Sequence, residues 1–273
     1  MVRALWSAAT GMIAQQNNVD TIANNLANVN TTGYKTETNE FKSLLYQTLQ
    51  TRTTTANGEE KPISAQVGLG VRNAAITSQF KQGSLIASES DTAFAINGKG
   101  FFAVQGGDGT VYYTRNGNFN WSIGAGGVMT LTNSDGNPVK SSTGANITLP
   151  ANYIASKVEV DAAGRVMYPD ANNNMQQVGG LQIGLYQFQN PAGLEKVGDS
   201  LFAVTPASGA ALNEATNAAL EDSEVRQGYL ENSNVQVADE MVNLIVAQRA
   251  YEMNSKAIQA ADEMMSQANQ LRR

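Results

Sequence analysis

Residues 1–30, MVRALWSAATGMIAQQNNVDTIANNLANVN, and residues 234–273, NVQVADEMVNLIVAQRAYEMNSKAIQAADEMMSQANQLRR, decide the fold of this chain. In both stretches apolar residues recur at helical spacing over many turns, and the long middle does not sustain that period. Along the first, Leu5, Ala8, Met12, Gln15, Val19, Ile22, Leu26 and Val29 follow in steps of three and four, which predicts one stripe of a helix. All but Gln15 are apolar. A chain whose extended helices lie only at its ends can pair them with each other or with other copies of itself.

The opposite face of the first helix is unusual. Between Arg3 and Lys35 the only charged side chain is Asp20, and the polar positions hold Gln16, Asn17, Asn18, Asn24, Asn25 and Asn28. Amides are cheaper to bury than charges if their hydrogen bonds are met, so this face is expected to pack against other protein. Asn and Gly11 each give up roughly 0.5–1 kcal/mol of helix propensity relative to Ala, and packing must supply the difference. The segment is therefore expected to order on assembly, the alternative being an ordinary amphipathic helix docked on the chain's own core.

In the second stretch Asn234 is the expected N-cap, with Asp239 and Glu240 in the first turns, where negative charge suits the helix dipole. The expected stripe is Val237, Met241, Leu244, Gln248, Tyr251, Ser255, Ile258 and Met265, widened by Ile245 and Ala261. Glu252 and Lys256 stand at i,i+4, and Arg272 and Arg273 sit at the end that favours cations. Ala247, Ala250, Ala257, Ala260 and Ala261 would allow close helix approach.

Between the helices, TLQTRTTTANGEEKP at 48–62 is Thr-rich and apolar-poor, and it reads as an exposed loop or linker. Beyond it come short strand-like runs: VRNAAITSQF from Val71, then TAFAI, FFAV, TVYYT, VMTLT, KVEV, RVMY, LQIGLYQF and LFAV. Asn97-Gly98, Asp108-Gly109, Asn116-Gly117 and Asp135-Gly136 punctuate them as turn dipeptides. The expected class is α+β: helices at the two ends, and a mostly antiparallel β-domain over 71–229 between them. The string FKQGSL at 80–85 is echoed by VRQGYL at 225–230, as expected of two strands lying side by side where the chain enters and leaves the β-domain.

With 42% apolar residues the chain can build a proper core, and a formal net charge of −6 argues against a nucleic-acid surface. It has no Cys and no His, which excludes thiolate or imidazole zinc sites, thiol nucleophiles and His-based proton transfer. No secretory h-region and no run of about 20 apolar residues are visible. GKGFFA at 98–103 satisfies a dinucleotide-loop pattern, but a strand follows it instead of a helix. Asp170, Asn172 and Asn174 mimic a calcium loop that lacks its Gly and Glu. Glu59 and Glu60 read as solvated loop carboxylates. No catalytic residue, cofactor or metal is expected; peptidoglycan cleavage by paired carboxylates is the alternative from another class.

The strings AQQNNVDTIANNLANVNTTGYK, AINGKGFFAV, YTRNGNF and GYLENSNVQVADEMVNLIVAQRAYEMNSKAIQAADEMM together resemble the bacterial flagellar rod and hook proteins. LLYQTL from Leu44, QVGLGVR from Gln66 and a length well short of a hook protein make the chain most similar to the distal rod members; hook and proximal rod members remain alternatives. The resemblance implies a fold in which terminal helices over 1–30 and 230–273 pair as a coiled coil in an inner tube, an extended linker arm spans 31–70 and the β-domain lies outside. It implies secretion without cleavage through the flagellar type III export apparatus. It also implies polymerisation into a hollow helical shaft in the cell envelope and periplasm, between proximal rod proteins and hook protein. In diderm bacteria that shaft passes through the P-ring and L-ring. The residues expected at inner helical contacts are Leu5, Met12, Val19, Ile22, Asn24, Asn25, Leu26, Met241, Leu244, Ile245, Tyr251 and Ile258. Rod stiffness is expected to be set in the arm.

Overall fold

The computed structural model describes residues 2–50, 65–170, 174–217 and 219–271. It divides into two compact units, and the chain passes between them four times. Unit 1 comprises Met1–Ala27, Glu37–Ser78 and Gln236–Arg273; unit 2 comprises Asn28–Thr36 and Gln79–Val235.

Unit 1 is two long helices and a ribbon. Helix α1 spans Val2–Ala27 and helix α2 spans Val237–Gln270. They pack along each other in opposite directions, since Asn25 meets Glu240 near one end while Gly11 lies against Asn254 further along. The linker expected over 31–70 is largely a paired ribbon. Its strands are β1 (Glu37–Ser43), β2 (Tyr46–Gln50), β3 (Ala65–Gly68) and β4 (Val71–Ser78). β1 pairs with β4 and β2 with β3, and the Leu44 N–H to Gly70 carbonyl and Leu69 N–H to Leu45 carbonyl bonds link the two ladders. The alternation that marks a half-buried strand is weak in ETNEFKS, which is why β1 was not expected. Most of the predicted Thr-rich loop, with Glu59 and Glu60, lies outside the described residues.

α2 begins after Gln236, whose side chain makes no capping bond. Asn234 is not the cap. Its side chain accepts from Thr36 N–H at 2.7 Å and donates to the Gln79 carbonyl at 2.8 Å, which fastens three chain segments inside unit 2. Glu252 accepts from Arg249 at 2.9 Å, one turn back, in place of the expected Lys256. Arg272 and Arg273 lie outside the described residues.

Unit 2 is built on an antiparallel six-stranded sheet. Strand β5 is Leu85–Ala87, β6 Phe94–Asn97, β7 Phe101–Gln105 and β8 Val111–Thr114. The sheet order is Glu195–Gly198, Leu201–Ala203, β8, β7, Leu185–Gln187, Leu212–Asn213. β7 lies centrally and is covered on both faces, so FFAV reads as a continuous apolar run. Phe102 and Val104 point into one core with Phe94, Ile96, Phe119, Leu131 and Ile147. Phe101 and Ala103 point into a second with Tyr113, Phe188, Leu194 and Phe202. Edge-to-face rings tie that second core together: Phe101 and Phe188 lie 5.4 Å apart, Tyr113 and Phe188 4.9 Å.

The turn residues act as expected at Asp108-Gly109, which joins β7 to β8 with Gly109 at φ 83°, a conformation that favours glycine. The Gly98–Gly100 segment is the bend between β6 and β7, and Gly100 N–H donates to Ser223 Oγ at 3.0 Å. Its context is strand to strand. VRNAAITSQF was expected in the β-domain, but β4 pairs with β1 in unit 1. The echoed strings are not two paired strands: residues 80–84 lie outside any strand, Glu224–Gln227 pairs with β6, and only Leu85, the last residue of the first string, falls in β5, which pairs with Tyr229–Glu231.

Candidate assembly surface

The faces of α1 and α2 differ from the expected stripes. In α1 the fully buried residues are Ala8, Ala14, Thr21, Ile22 and Asn25; in α2 they are Glu240, Ala247 and Ala261. With the half-buried Ser7, Gly11 and Asn18, and with Leu244, Asn254, Ile258 and Met265, these fall on three- and four-residue steps one position away from much of the expected stripe. The shared seam is thus rich in small and amide side chains. Small residues permit the closest approach of two helices, and at Gly11 a Cβ would stand 2.8 Å from Asn254 Nδ2.

Outside the seam, many large apolar side chains are exposed among the charged and polar ones. Trp6 is 67% exposed and Ile13 61%, and on α2 Met241, Val242, Ile245, Val246, Tyr251 and Met253 are all exposed. The ribbon adds Phe41, Leu45, Tyr46, Leu49 and Ile76. Single exposed apolar residues are ordinary, but a run of this length on one unit marks an interaction surface. A recess of about 410 Å³ between the helices is lined by Gln16, Val19, Gln248, Tyr251 and Glu252.

The expected interface residues therefore separate into two groups. Ile22 and Asn25 are buried inside unit 1. Asn25 accepts from Glu37 N–H at 2.8 Å, donates to the Glu37 carbonyl at 2.9 Å and to Glu240 Oε2 at 3.3 Å, so one amide joins α1, β1 and α2. Leu5, Met12, Val19, Leu26, Leu244 and Ile258 are half-buried, while Asn24, Met241, Ile245 and Tyr251 are exposed. Trp6, Ile13 and the ribbon residues were missed. Trp6 and Ile13 lie off the stripe that ranks α1 positions by period, although a Trp outside an apolar stripe is itself a signal.

Unit 2 holds the other unusual cluster. Glu231 is wholly buried; its Oε1 accepts from Lys35 Nζ at 2.6 Å and from Gly83 N–H at 2.9 Å, and its Oε2 accepts from Arg115 Nη1 at 3.3 Å. Burial lowers the Lys35 ammonium pKa, Glu231 opposing the shift. Burial likewise lowers that of Arg115, whose guanidinium also lies 5.1 Å over the Phe101 ring. Tyr113 is pushed up to about 12, by burial first and then by Tyr186. Both carboxylate oxygens of Glu231 accept hydrogen bonds inside the fold, which makes the cluster a clasp between chain segments. Among the described residues no group of three His, Cys, Asp or Glu side chains could hold a metal ion, and no helix is long and apolar enough to cross a membrane. Asp170 N–H donates to the Asn174 carbonyl across a turn, and Asn172 lies outside the described residues.

Three family models match the chain. Flagella basal body rod protein covers residues 5–35, Flagellar hook protein FlgE/F/G D1 domain covers 95–168, and Flagellar basal body rod FlgEFG protein C-terminal covers 226–271. Flagellar basal-body rod protein FlgG of Borreliella burgdorferi is 44% identical over 100% of both chains. The protein of the same name from Agrobacterium fabrum is 42% identical over 97% of each, and that of Bacillus subtilis 34% over 100% of each. Among solved structures, the Helicobacter pylori flagellar hook protein FlgE2 aligns over 65% of this chain and 47% of its own, at 16% identity and a TM-score of 0.24, too slight to carry an argument.

Proposed function

From the premise that this chain belongs to the flagellar basal-body rod protein family, we propose that it is a non-enzymatic structural subunit that polymerises into the hollow distal rod and transmits torque from motor to hook. The observation that carries the reading is the outer face of its terminal helices. Their shared seam combines small and amide residues with Ile22, Leu244, Ile258 and Met265, and Trp6, Ile13, Met241, Ile245 and Val246 remain exposed, as do apolar side chains of the ribbon. Covering such a surface with other protein removes apolar area from water and favours association. Contacts of this kind that do not close on themselves build open helical filaments. On this reading α1 and α2 form a coiled coil in the inner tube, and the ribbon is the arm where stiffness is set. The β-rich unit faces outward, in the envelope and periplasm.

The partners that follow are further copies of the chain, proximal rod proteins, hook protein, the type III export apparatus, and the P-ring and L-ring in diderm bacteria. Electron microscopy of the purified full chain after concentration tests the reading. Straight hollow tubes are expected. A supercoiled, flexible tube would move the assignment to the hook, and a chain that stays monomeric under all assembly conditions would overturn it.

A further inference from the structure

We propose that a recess in unit 1, between α1, α2 and β1, is a socket that receives a basic side chain from a second copy of this chain; the proposal rests on the self-assembly reading above. The recess measures about 290 Å³, and its walls mix polar and charged residues, among them Glu37, Asn39, Glu240 and Asn243, with the apolar Ile22, Phe41 and Val246.

Two of its groups are incompletely met within the chain. Glu240 is only 9% exposed, and its one side-chain partner among the described residues is Asn25 Nδ2, at a long 3.3 Å. A buried carboxylate without a cation is costly, and the field of the α2 N-terminus offsets only part of that cost. Asn39, on β1, has both its amide nitrogen and its amide oxygen shielded from solvent with no protein partner. In folded proteins such groups are nearly always paired. The recess thus presents the Glu240 carboxylate, with the Glu37 residue and the unpartnered Asn39 amide in the same wall, among polar side chains and the apolar Ile22, Phe41 and Val246. A group that only donates hydrogen bonds, carried on a methylene stem, matches that arrangement: a Lys or Arg side chain.

Unit 1 also supplies the complementary feature. Arg3 on α1 and Lys256 on α2 are exposed and make no ion pair among the described residues, the Glu252 carboxylate beside Lys256 being held by Arg249. The same element pair therefore carries an uncovered buried anion on one face and unpaired cations on others, the pattern expected when the partner is another copy.

The test uses the full-length chain and its assembly, followed by sedimentation and electron microscopy across protein and salt concentrations. Glu240→Gln keeps the shape of the side chain and an acceptor for Asn25 while removing the charge. Its monomer should melt at or above the wild-type temperature. Its critical concentration for assembly should rise about tenfold, with a flatter salt dependence. Either Arg3→Gln or Lys256→Gln should reproduce that loss, and the matching one should add nothing to Glu240→Gln. Asn39→Leu fills the recess without changing charge, and should also block assembly while leaving the monomer folded; it decides the matter if Glu240→Gln fails to fold. Wild-type filaments matched in threshold and salt response by both recess variants would overturn the socket alone. Stabilisation of the monomer by magnesium or calcium that is lost in Glu240→Gln would overturn it in favour of an ion site. Failure of the wild type to assemble would overturn the self-assembly reading, and the socket with it.

Discussion

Lys35 Nζ lies 2.6 Å from Glu231 Oε1, and neither side chain is reached by solvent. The two residues are 196 positions apart, one just after the N-terminal helix and the other just before the C-terminal one. Around them the Gly33 N–H donates to the Glu231 carbonyl at 2.8 Å, and the Lys35 ammonium also donates to the Lys81 carbonyl at 2.8 Å. Residues 28–36, 79–85 and 229–235 are thus bound into unit 2 at one carboxylate. A buried ion pair adds little net stability against an apolar replacement, but it is expensive to break from one side.

Lys35→Met leaves Glu231 facing Arg115 alone, and should lower the stability of unit 2 by about 3–5 kcal/mol. Denaturant unfolding followed at Trp121, which packs in that unit, checks it. A change below about 1 kcal/mol would show that Arg115 and water meet the carboxylate without help.

Two glycines are required by close approach. A Cβ on Gly83 would collide with the Asn232 carbonyl, and one on Gly117 with the Phe94 carbonyl, although neither glycine has positive φ. Each carbonyl belongs to backbone that cannot swing away like a side-chain tip. Gly117→Ala should therefore cost about 1–3 kcal/mol or more, read from thermal unfolding. Gly11→Ala should cost less, because it meets only the flexible end of Asn254.

Tyr113 gives unit 2 an alkaline limit. Its native pKa of about 12 lies above the ordinary 10, so its contribution is fully present below pH 10 and is lost as pH rises through 12. Lys35 acts in the opposite sense: its lowered pKa means the unfolded chain binds more protons just below pH 10.5, so its contribution rises with pH there. The difference between wild type and Tyr113→Phe cancels Lys35. It should show the wild type losing relative stability between pH 10 and 12, measured by urea titration at each pH.

Ile245→Asp, on the exposed face of α2, should leave the monomer's circular dichroism and melting unchanged and abolish filaments. Leu26→Asp, half-buried, should also abolish them while unit 2 stays folded. Normal filaments from either variant would remove the helices from the assembly contact.

Much of the architecture was legible locally. The helical period located α1 and α2 to within a few residues, and Asp108-Gly109 and the FFAV run located a hairpin and a doubly covered strand. The ribbon was less legible. β1 and β4 form a two-stranded ribbon in which no residue is fully buried, so their apolar residues carry no clean period. Within the candidate surface the residue types were readable, but the division into inner and outer faces was not.

The sequence alone determined where helices and strands lie, that Cys and His chemistry is excluded, and, through four long strings, the family. Those properties follow from backbone sterics, side-chain period and composition, which act over a few residues at a time. Only the tertiary structure decided that Ala14, Asn25, Ala247 and Ala261 form the seam while Trp6, Ile13 and Ile245 are left for a partner. A helix with apolar residues on more than one face does not choose among them by hydrophobicity. The choice falls to shape, because two backbones approach most closely over small side chains, and to whether each buried amide finds its bond. Likewise no local rule links Lys35 to Glu231; they meet because the chain returns at its far end to the point where it entered the β-rich unit.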